Sequence, residues 1–400
     1  MIFNEITFFA LFLAPSLFAF HAAKRLFGER AGSTLRPWVL TLFGAVFFAY
    51  YGTKYFGGFW GAVTVLIFVA ELLVSRLYRP GSRLCLLGVV QAVLILAVFK
   101  YSHFFSAALA DAMIALGLPP TGILPKLVLP LGISFFTFEF IHVASDVYTG
   151  KLARPALTNY AAFIFFFPSM VAGPIKRYQD FGPQLEQARF EPELFAQGIT
   201  RILAGLAKKH VIADTFSIWA DRLNGPALYT ADTLTIIGWI LAYAVKIYFD
   251  FSGYSDIAIG CGYLFGLHIP ENFNWPYVAR DIREFWQRWH ISLSRWIFDY
   301  VYVPLGGSRR GSTSFNLLAA FFISGLWHGA AYNFVLWGLW HGGCVVVHRT
   351  WTRWETRPSG RLWQAFATVL TFTCVVIGWS LFCMDVRRFG YVATKVLTWS

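Results

Sequence analysis

Long apolar runs alternate with short polar connections along the whole chain. The first four runs cover residues 6–20, 38–51, 60–74 and 84–99. They are of helix length and lack the strict apolar–polar alternation of half-buried strands, which argues against an outer-membrane barrel. At roughly 20 residues per crossing, the pattern predicts an all-α polytopic membrane protein with about nine to eleven spans.

Basic residues between the runs predict how the chain crosses the membrane. Two basic groups follow the first and third runs, namely Lys24, Arg25, Arg30 and Arg36, and then Arg76, Arg79 and Arg83. Because positively charged loops stay in the cytoplasm, the N-terminus is expected outside and the first run is a retained helix. The same alternation predicts an external connection over residues 107–121.

Three later segments interrupt their apolar runs with polar or helix-breaking residues. In residues 125–148, Glu139, His142 and Asp146 share one helix face and predict either a polar cluster joining two helices or a cavity lining. Pro168, Gly173 and Pro174 predict a re-entrant loop, since a full crossing would place Lys176 outside. Residues 250–276 mix Gly, Ser, Asp and Pro with apolar residues and predict a broken helix or a second re-entrant segment around an enclosed cavity.

The rest of the chain shows no second domain. Residues 193–211 predict a helix at the inner surface, and residues 234–249, 332–347 and 366–382 predict spans. The chain ends at Ser400 within a moderately apolar run, which predicts a further helix in the complete protein. We expect a single transmembrane domain over residues 1–400, with a catalytic core at about 126–349.

Composition agrees with a membrane protein. Hydrophobic residues make up 57% of the 400 residues and charged residues only 14%, against about 25% in soluble domains. The net charge of +12 is explained first by cytoplasmic loops and second by docking of an anionic donor. Nucleic acid is not an expected partner.

The most unusual stretch, residues 280–329, carries two histidines beside apolar segments. One predicted amphipathic helix carries an apolar stripe, and His290 lies at the border of that stripe. The stripe consists of Ile282, Phe285, Trp286, Trp289, Leu293, Trp296, Ile297 and Tyr300. Charged residues occupy the other face, where Glu284 and Arg288 are spaced to pair.

His328 ends an apolar segment between Gly325 and Gly329, where small neighbours would admit a substrate. A neutral imidazole there could take a proton from a hydroxyl nucleophile. One histidine at a helix end is more often structural, and the motif GLWHG occurs again with His341. Spacing alone does not decide which copy is catalytic.

Several motifs together resemble the membrane-bound O-acyltransferase (MBOAT) family. REFWQRWHISLSRWIFDYVYVPLGG, followed by an apolar helix ending in GLWHGA, is similar to its bacterial polysaccharide branch, which includes the membrane subunit of alginate O-acetylation. The motifs FPSMVAGPI and YFDFSGYSDIAIG match the same branch. The resemblance covers about residues 126–349.

The resemblance implies a helical ring with re-entrant segments around a central tunnel, in the bacterial inner membrane. It implies His328 as the principal catalytic residue and His290 as its partner, which positions the acyl group or stabilises developing charge. His341 becomes a supporting residue, together with Asn316, Ser324 and Trp327 on the segment that ends in His328. No bound cofactor or metal is expected.

The resemblance also implies the substrates. An acyl group, acetyl above all, passes from a cytoplasmic thioester donor such as acetyl-coenzyme A or an acyl carrier to a hydroxyl of an extracytoplasmic polysaccharide or a periplasmic partner protein. A basic cluster beside the histidines would dock the anionic donor; it comprises Arg280, Arg283, Arg288, Arg309 and Arg310. The alternatives are D-alanyl transfer to teichoic acid and, outside enzymes, a transporter, because broken helices also mark transport pathways.

Overall fold

The computed structural model describes residues 5–353 and 360–399, and these ranges are helical without a β-strand. The predicted all-α class is therefore confirmed, whereas the ring around a tunnel stays a prediction. The helices form two compact units, Met1–Gly205 with Tyr254–Pro270 and Leu206–Gly253 with Glu271–Ser400. The predicted further helix after Ser400 lies outside the described residues.

The first unit contains the α-helices that begin before residue 206, and the last of them ends two residues inside the second unit. They are α1 (Ala14–Phe56), α2 (Gly58–Ser75), α3 (Leu84–Leu96), α4 (Ser102–Ala115), α5 (Ile133–Tyr148), α6 (Leu157–Ile164), α7 (Phe167–Met170), α8 (Tyr178–Gln187) and α9 (Pro192–Ala207). A break divides α1 at Gly28, whose φ of 75° is a left-handed conformation open to glycine. A π-helical segment, Ala97–Tyr101, joins α3 to α4.

The second unit contains the later helices, and every predicted site residue lies in this unit. They are α10 (Asp214–Ala220), α11 (Thr233–Leu264), α12 (Ile282–Arg288), α13 (Ile291–Ile297), α14 (Thr313–His328), α15 (Tyr332–Trp351), α16 (Arg361–Cys383) and α17 (Val386–Thr398). The first part of α11 belongs to this unit and its last residues, from Tyr254, to the first unit.

Five helices of the described ranges are long and apolar enough to span a membrane, against the nine to eleven spans expected. They are Ala31–Phe56, Gly58–Ser75, Leu84–Ala115, Thr233–Leu264 and Arg361–Cys383. Other apolar runs fold into shorter pieces: α5 has 16 residues and α6 only 8. Fewer helices than expected meet this criterion, because several apolar runs form helices that are too short to cross a membrane.

The predicted external connection over residues 107–121 is partly wrong. The helix that begins at Leu84 continues to Ala115, since the residues Ser102–Ala115 are rich in alanine and other good helix formers. Irregular backbone begins only after Ala115 and lasts until α5.

The predicted break in residues 250–276 is also wrong for its first half, because α11 continues without interruption to Leu264. Two of its acidic side chains have basic partners: Asp250 pairs with Lys209 at 2.9 Å and Asp256 with Arg201 at 2.7 Å. Gly260 permits close helix packing, since a Cβ there would lie 2.6 Å from the carbonyl oxygen of Gly198. The glycines that predicted a break in the helix instead allow two helices to pack closely.

The polar face of α5 forms the predicted cluster that joins two segments. Lys176 Nζ lies 2.5 Å from Glu139 Oε1, and the Lys176 side chain is buried. His142 Nε2 accepts a hydrogen bond from the backbone N–H of Tyr178 at 3.2 Å, and Gln179 donates to Asp146. The cluster fixes α5 to the start of α8.

Lys176 therefore says little about membrane topology, because it is a buried ion-pair partner and not an exposed loop charge. The chain does turn where Pro168 predicted an interruption, since α6 ends at Ile164 and the four-residue α7 follows. The placement of this turn within a membrane stays a prediction. The amphipathic helix predicted over residues 193–211 is confirmed as α9 and the π-helical segment Lys208–Ala213.

Candidate active site

His290 lies at a break in the segment that was predicted to be one amphipathic helix. That prediction is wrong at this point: α12 ends at Arg288, and α13 begins at Ile291. His290 between them has φ 43° and ψ 53°, a left-handed conformation that costs a non-glycine residue roughly 1–2 kcal/mol. The predicted stripe is nevertheless buried on both sides of the break, as Phe285 and Leu293 show.

The amide of Asn272 compensates for this strained backbone. Its Oδ1 lies 3.1 Å from Nδ1 of His290 and accepts hydrogen bonds from Ser292, from the backbone N–H at 3.2 Å and from the hydroxyl at 2.9 Å. The backbone N–H of Ile291 donates to the Asn272 carbonyl at 3.0 Å. One buried side chain thus holds the residues on both sides of the break.

Aromatic rings enclose the His290 imidazole, which is 1% exposed. The Phe251 ring meets it edge to face at a centroid distance of 4.6 Å, and Trp327 does so at 6.1 Å. Because burial disfavours the charged form, the pKa of His290 is lowered from its ordinary value. The imidazole is therefore neutral at physiological pH.

His328 is the last residue of α14 and is half-buried. Its ring contacts Trp327 at 4.8 Å, Trp337 at 4.9 Å and Phe382 at 5.0 Å between centroids. The C-terminal end of a helix stabilises a positive charge. An imidazolium formed by proton uptake at His328 would be favoured there.

Trp327 brings the two predicted catalytic histidines into one site. Its ring contacts the ring of His290, which lies between α12 and α13, and the ring of His328, which follows Trp327 in the chain. Trp327 itself is buried. The indole therefore separates a buried imidazole from a half-buried one.

His341 has a different environment, although it stands in the second GLWHG. It lies within α15, is 0% exposed, and has four aromatic neighbours: Phe285, Trp286, Trp337 and Trp379. A Cβ at Gly378 would lie 2.2 Å from its Nε2. The position leaves no space for a substrate beside the ring.

Two other predicted supporting residues contribute to packing. Asn316 is buried, and its Nδ2 donates to the carbonyls of Gly307 at 2.9 Å and Arg310 at 3.2 Å. It therefore attaches the preceding basic turn to α14. Ser324 is buried on the same helix, one turn before His328.

The five arginines predicted to dock a donor fall into two groups. Arg288 is half-buried and held by the predicted partner Glu284 at 2.7 Å, and it also donates to the Asn274 carbonyl at 3.1 Å. The other four are exposed, namely Arg280, Arg283, Arg309 and Arg310. The exposed group carries charge available to a ligand, whereas Arg288 stabilises the local fold.

Sequence reasoning missed Asn272 and the aromatic residues of α16. Asn272 is 18 residues from His290 in the chain, and Trp379 and Phe382 come from a run that looked like an ordinary span.

Comparison with known proteins gives this site a family. The model of the membrane-bound O-acyltransferase family, MBOAT, matches residues 81–386. The protein named "Probable alginate O-acetylase AlgI" of Pseudomonas aeruginosa is 38% identical over 393 residues, which are 96% of this chain and 72% of that protein. A peptidoglycan O-acetyltransferase of Helicobacter pylori is 32% identical over 384 residues, 86% of this chain and 70% of the relative.

A teichoic acid D-alanyltransferase of Bacillus subtilis is 30% identical over 269 residues, 63% of this chain and 68% of that relative. With a family model matched over most of its length, the chain belongs to the membrane-bound O-acyltransferase family. It is a multi-pass membrane enzyme that transfers acyl groups to oxygen. Family membership favours this reading over the transporter.

Proposed function

We propose that the protein transfers an acetyl group from a cytoplasmic thioester donor to a hydroxyl on the outer side of the bacterial inner membrane. The donor would be acetyl-coenzyme A or an acyl carrier protein. The acceptor would be a polysaccharide or a periplasmic partner protein that passes the acetyl group on. The main supporting observation is the half-buried His328 at a helix end, in contact through Trp327 with the buried His290.

His328 is the proposed general base. Its ring takes the proton of the acceptor hydroxyl while the hydroxyl oxygen attacks the thioester carbonyl carbon. The carbon–sulfur bond then breaks, and the leaving thiolate takes the proton from His328. The products are an oxygen ester and a free thiol, so atoms and charge balance. The helix end favours the transient imidazolium.

His290 and the enclosing rings assist this step. Phe251, Trp327 and Trp337 surround the two imidazoles, and a dry aromatic environment limits competition by water. The strained, hydrogen-bonded backbone at His290 fixes its ring relative to α12 and α13. We assign His290 to the orientation of the reacting groups, and His341 to the packing that supports Trp337.

The exposed arginines are proposed to dock the donor, whose phosphates or acidic carrier surface carry negative charge. Arg309 and Arg310 stand on the turn that Asn316 attaches to α14, the helix that ends in His328. Arg280 and Arg283 stand at the start of α12, before His290. Each pair is thus on the element that also positions a proposed catalytic histidine.

D-alanyl transfer from a carrier protein is the second candidate, because the Bacillus subtilis relative bears that name. The acetyl reading is favoured because the alginate O-acetylase relative matches 96% of the chain, against 63% for the D-alanyltransferase. The two differ in donor and not in the chemistry at His328.

The experiment is an acyl-transfer assay in proteoliposomes. The purified protein is given radiolabelled acetyl-coenzyme A with alginate or peptidoglycan fragments as acceptor. In parallel it is given a D-alanyl-loaded carrier protein with teichoic acid as acceptor. We expect thiol release and acceptor labelling with the acetyl donor. Labelling from the D-alanyl carrier alone would select the second candidate, and no thiol release from either donor would contradict both.

A further inference from the structure

The hydrogen bonds at Asn272 determine which nitrogen of His290 carries the proton. The backbone N–H of Ser292 can only donate, and it reaches the side-chain atom of Asn272 that also meets His290. That atom must therefore be the amide oxygen and not the amide nitrogen. An oxygen of this kind only accepts, so Nδ1 of His290 must bear the hydrogen.

The other ring nitrogen is consequently a bare acceptor. In a neutral imidazole one nitrogen donates and the other accepts, which leaves Nε2 of His290 with a lone pair. This atom is buried and has no hydrogen-bond partner among residues 5–353 and 360–399. An unsatisfied buried acceptor costs free energy, so this nitrogen can accept a hydrogen bond from a group that enters the site.

We propose that Asn272 is a positioning residue that holds His290 as the Nδ1–H tautomer, so that Nε2 accepts a hydrogen bond from an O–H or N–H group of the substrates. The inference deepens the proposed function and rests on it. It replaces an electrostatic role for His290, since a lone pair cannot stabilise an oxyanion. His290 instead holds a hydrogen-bond donor of the substrate while His328 takes the reacting proton.

Two parts of the substrates could supply that hydrogen. One is a hydroxyl of the acceptor, beside the hydroxyl that reacts. The other is an amide N–H in the thiol arm of the donor. Steady-state kinetics separates them, because loss of the contact raises KM for the acceptor in the first case and KM for acetyl-coenzyme A in the second.

A spectroscopic test reads the tautomer without any turnover. Protein labelled with ¹⁵N at its histidine rings is measured by solid-state NMR in lipid, and the His290 signals are assigned by their loss in His290→Gln. We expect a protonated Nδ1 and an unprotonated Nε2 in the wild type, and a mixture of tautomers in Asn272→Leu. A protonated Nε2 in the wild type would overturn the inference even if acyl transfer is confirmed.

Kinetics of three variants complete the test. Asn272→Leu, which cannot accept a hydrogen bond, should lower kcat/KM about 10- to 100-fold, as loss of an orienting partner does at other sites. Asn272→Asp still accepts the Nδ1–H and adds a negative charge that favours the imidazolium, so activity should be retained with its acid limb moved to higher pH.

Ser294→Ala is the control, since the Ser294 hydroxyl donates to the Trp289 carbonyl at 3.3 Å in the same segment and does not bond Asn272. Its kcat/KM should stay within about twofold of wild type. Equal losses in Asn272→Leu and Ser294→Ala, or an unmoved pH profile in Asn272→Asp, would reduce Asn272 to a structural residue and contradict the proposal.

Discussion

At the scale of single residues, the repeated GLWHG is explained by a glycine contact and not by two catalytic sites. Gly325 of the first copy and Gly338 of the second face each other between α14 and α15, and a Cβ at Gly325 would lie 3.2 Å from the Gly338 Cα and 2.3 Å from the Phe334 carbonyl oxygen. Small residues let two helices approach this closely. The repetition therefore serves the packing of a helical pair.

The choice between the two histidines shows what residue spacing could and could not predict. The two motifs have the same sequence, yet His328 ends a helix and is half-buried, whereas His341 is enclosed by four aromatic rings. Asn272 escaped prediction because its hydrogen bond spans 18 residues of chain and follows no helical period. Contacts of this kind depend on tertiary packing, which a one-dimensional pattern does not contain.

Gly378→Ala should destabilise the protein. The new methyl group would overlap the His341 ring, with Cβ 2.2 Å from Nε2, and an overpacked core costs about 1–3 kcal/mol. Thermal unfolding of the detergent-solubilised variant measures the loss. A double-mutant cycle with His341→Ala provides the control, because the methyl group should cost less where the ring is absent. Purely additive losses would show that His341 is not the obstacle.

At the scale of elements, the sequence predicted which surfaces are buried better than where helices stop. Most of the apolar stripe of residues 282–300 is buried as expected, but the helix breaks at His290 because Asn272 supplies alternative hydrogen bonds there. Conversely, α11 continues through residues that predicted a break, since Asp250 and Asp256 find basic partners. Partners distant in sequence decide both outcomes.

The ion pair between α5 and the segment before α8 makes a prediction about stability. Lys176→Met removes the buried partner of Glu139 and leaves an uncompensated carboxylate, a change that costs about 3–5 kcal/mol. The midpoint of thermal unfolding in detergent should fall clearly. The double variant Glu139→Leu/Lys176→Met should recover most of that loss, because it leaves no buried charge unpaired. A double variant as unstable as Lys176→Met would contradict this account.

The basic turn before α14 makes a prediction about the donor. Arg309→Gln/Arg310→Gln should raise KM for acetyl-coenzyme A several-fold at low salt, and the difference from wild type should shrink as salt screens the charges. kcat should change little, since the turn binds the donor and does not react. Steady-state kinetics at two ionic strengths measures both effects.

The control for this experiment is a variant with charge changes outside the proposed site. Arg387→Gln/Arg388→Gln removes the same charge from α17 in the same unit, and it should leave KM unchanged. An equal rise of KM in both variants would attribute the effect to net charge and not to the turn.

At the scale of the whole molecule, composition and hydropathy were sufficient for the class of protein. The all-α membrane class and the family were both predicted, and five helices have the length and apolarity to span. Fewer helices meet the length and apolarity of a span than the nine to eleven expected, since segments such as α5 have only 16 residues. A hydropathy window registers apolar character and does not register where the backbone turns.

The net charge was likewise a limited guide to membrane topology. The net charge of +12 was assigned to cytoplasmic loops, yet Lys176 is 1% exposed and paired, and Lys209 contacts both Asp214 and Asp250. Such residues contribute to the count but carry no topological information. The positive-inside rule applies to the exposed loop residues alone.

The central claim is that one histidine, His328, supplies the proton transfer in acyl transfer to oxygen. The most direct measurement is the rate of labelled acetyl transfer in proteoliposomes by wild type, His328→Gln and the control His210→Gln. His210 lies on the π-helical segment Lys208–Ala213, where its Nδ1 is 3.1 Å from Asp214 Oδ2. Thermal unfolding confirms that each variant is folded. His328→Gln should lose about 10²- to 10⁴-fold in rate, with the control close to wild type. Equal transfer by a folded His328→Gln would contradict the account.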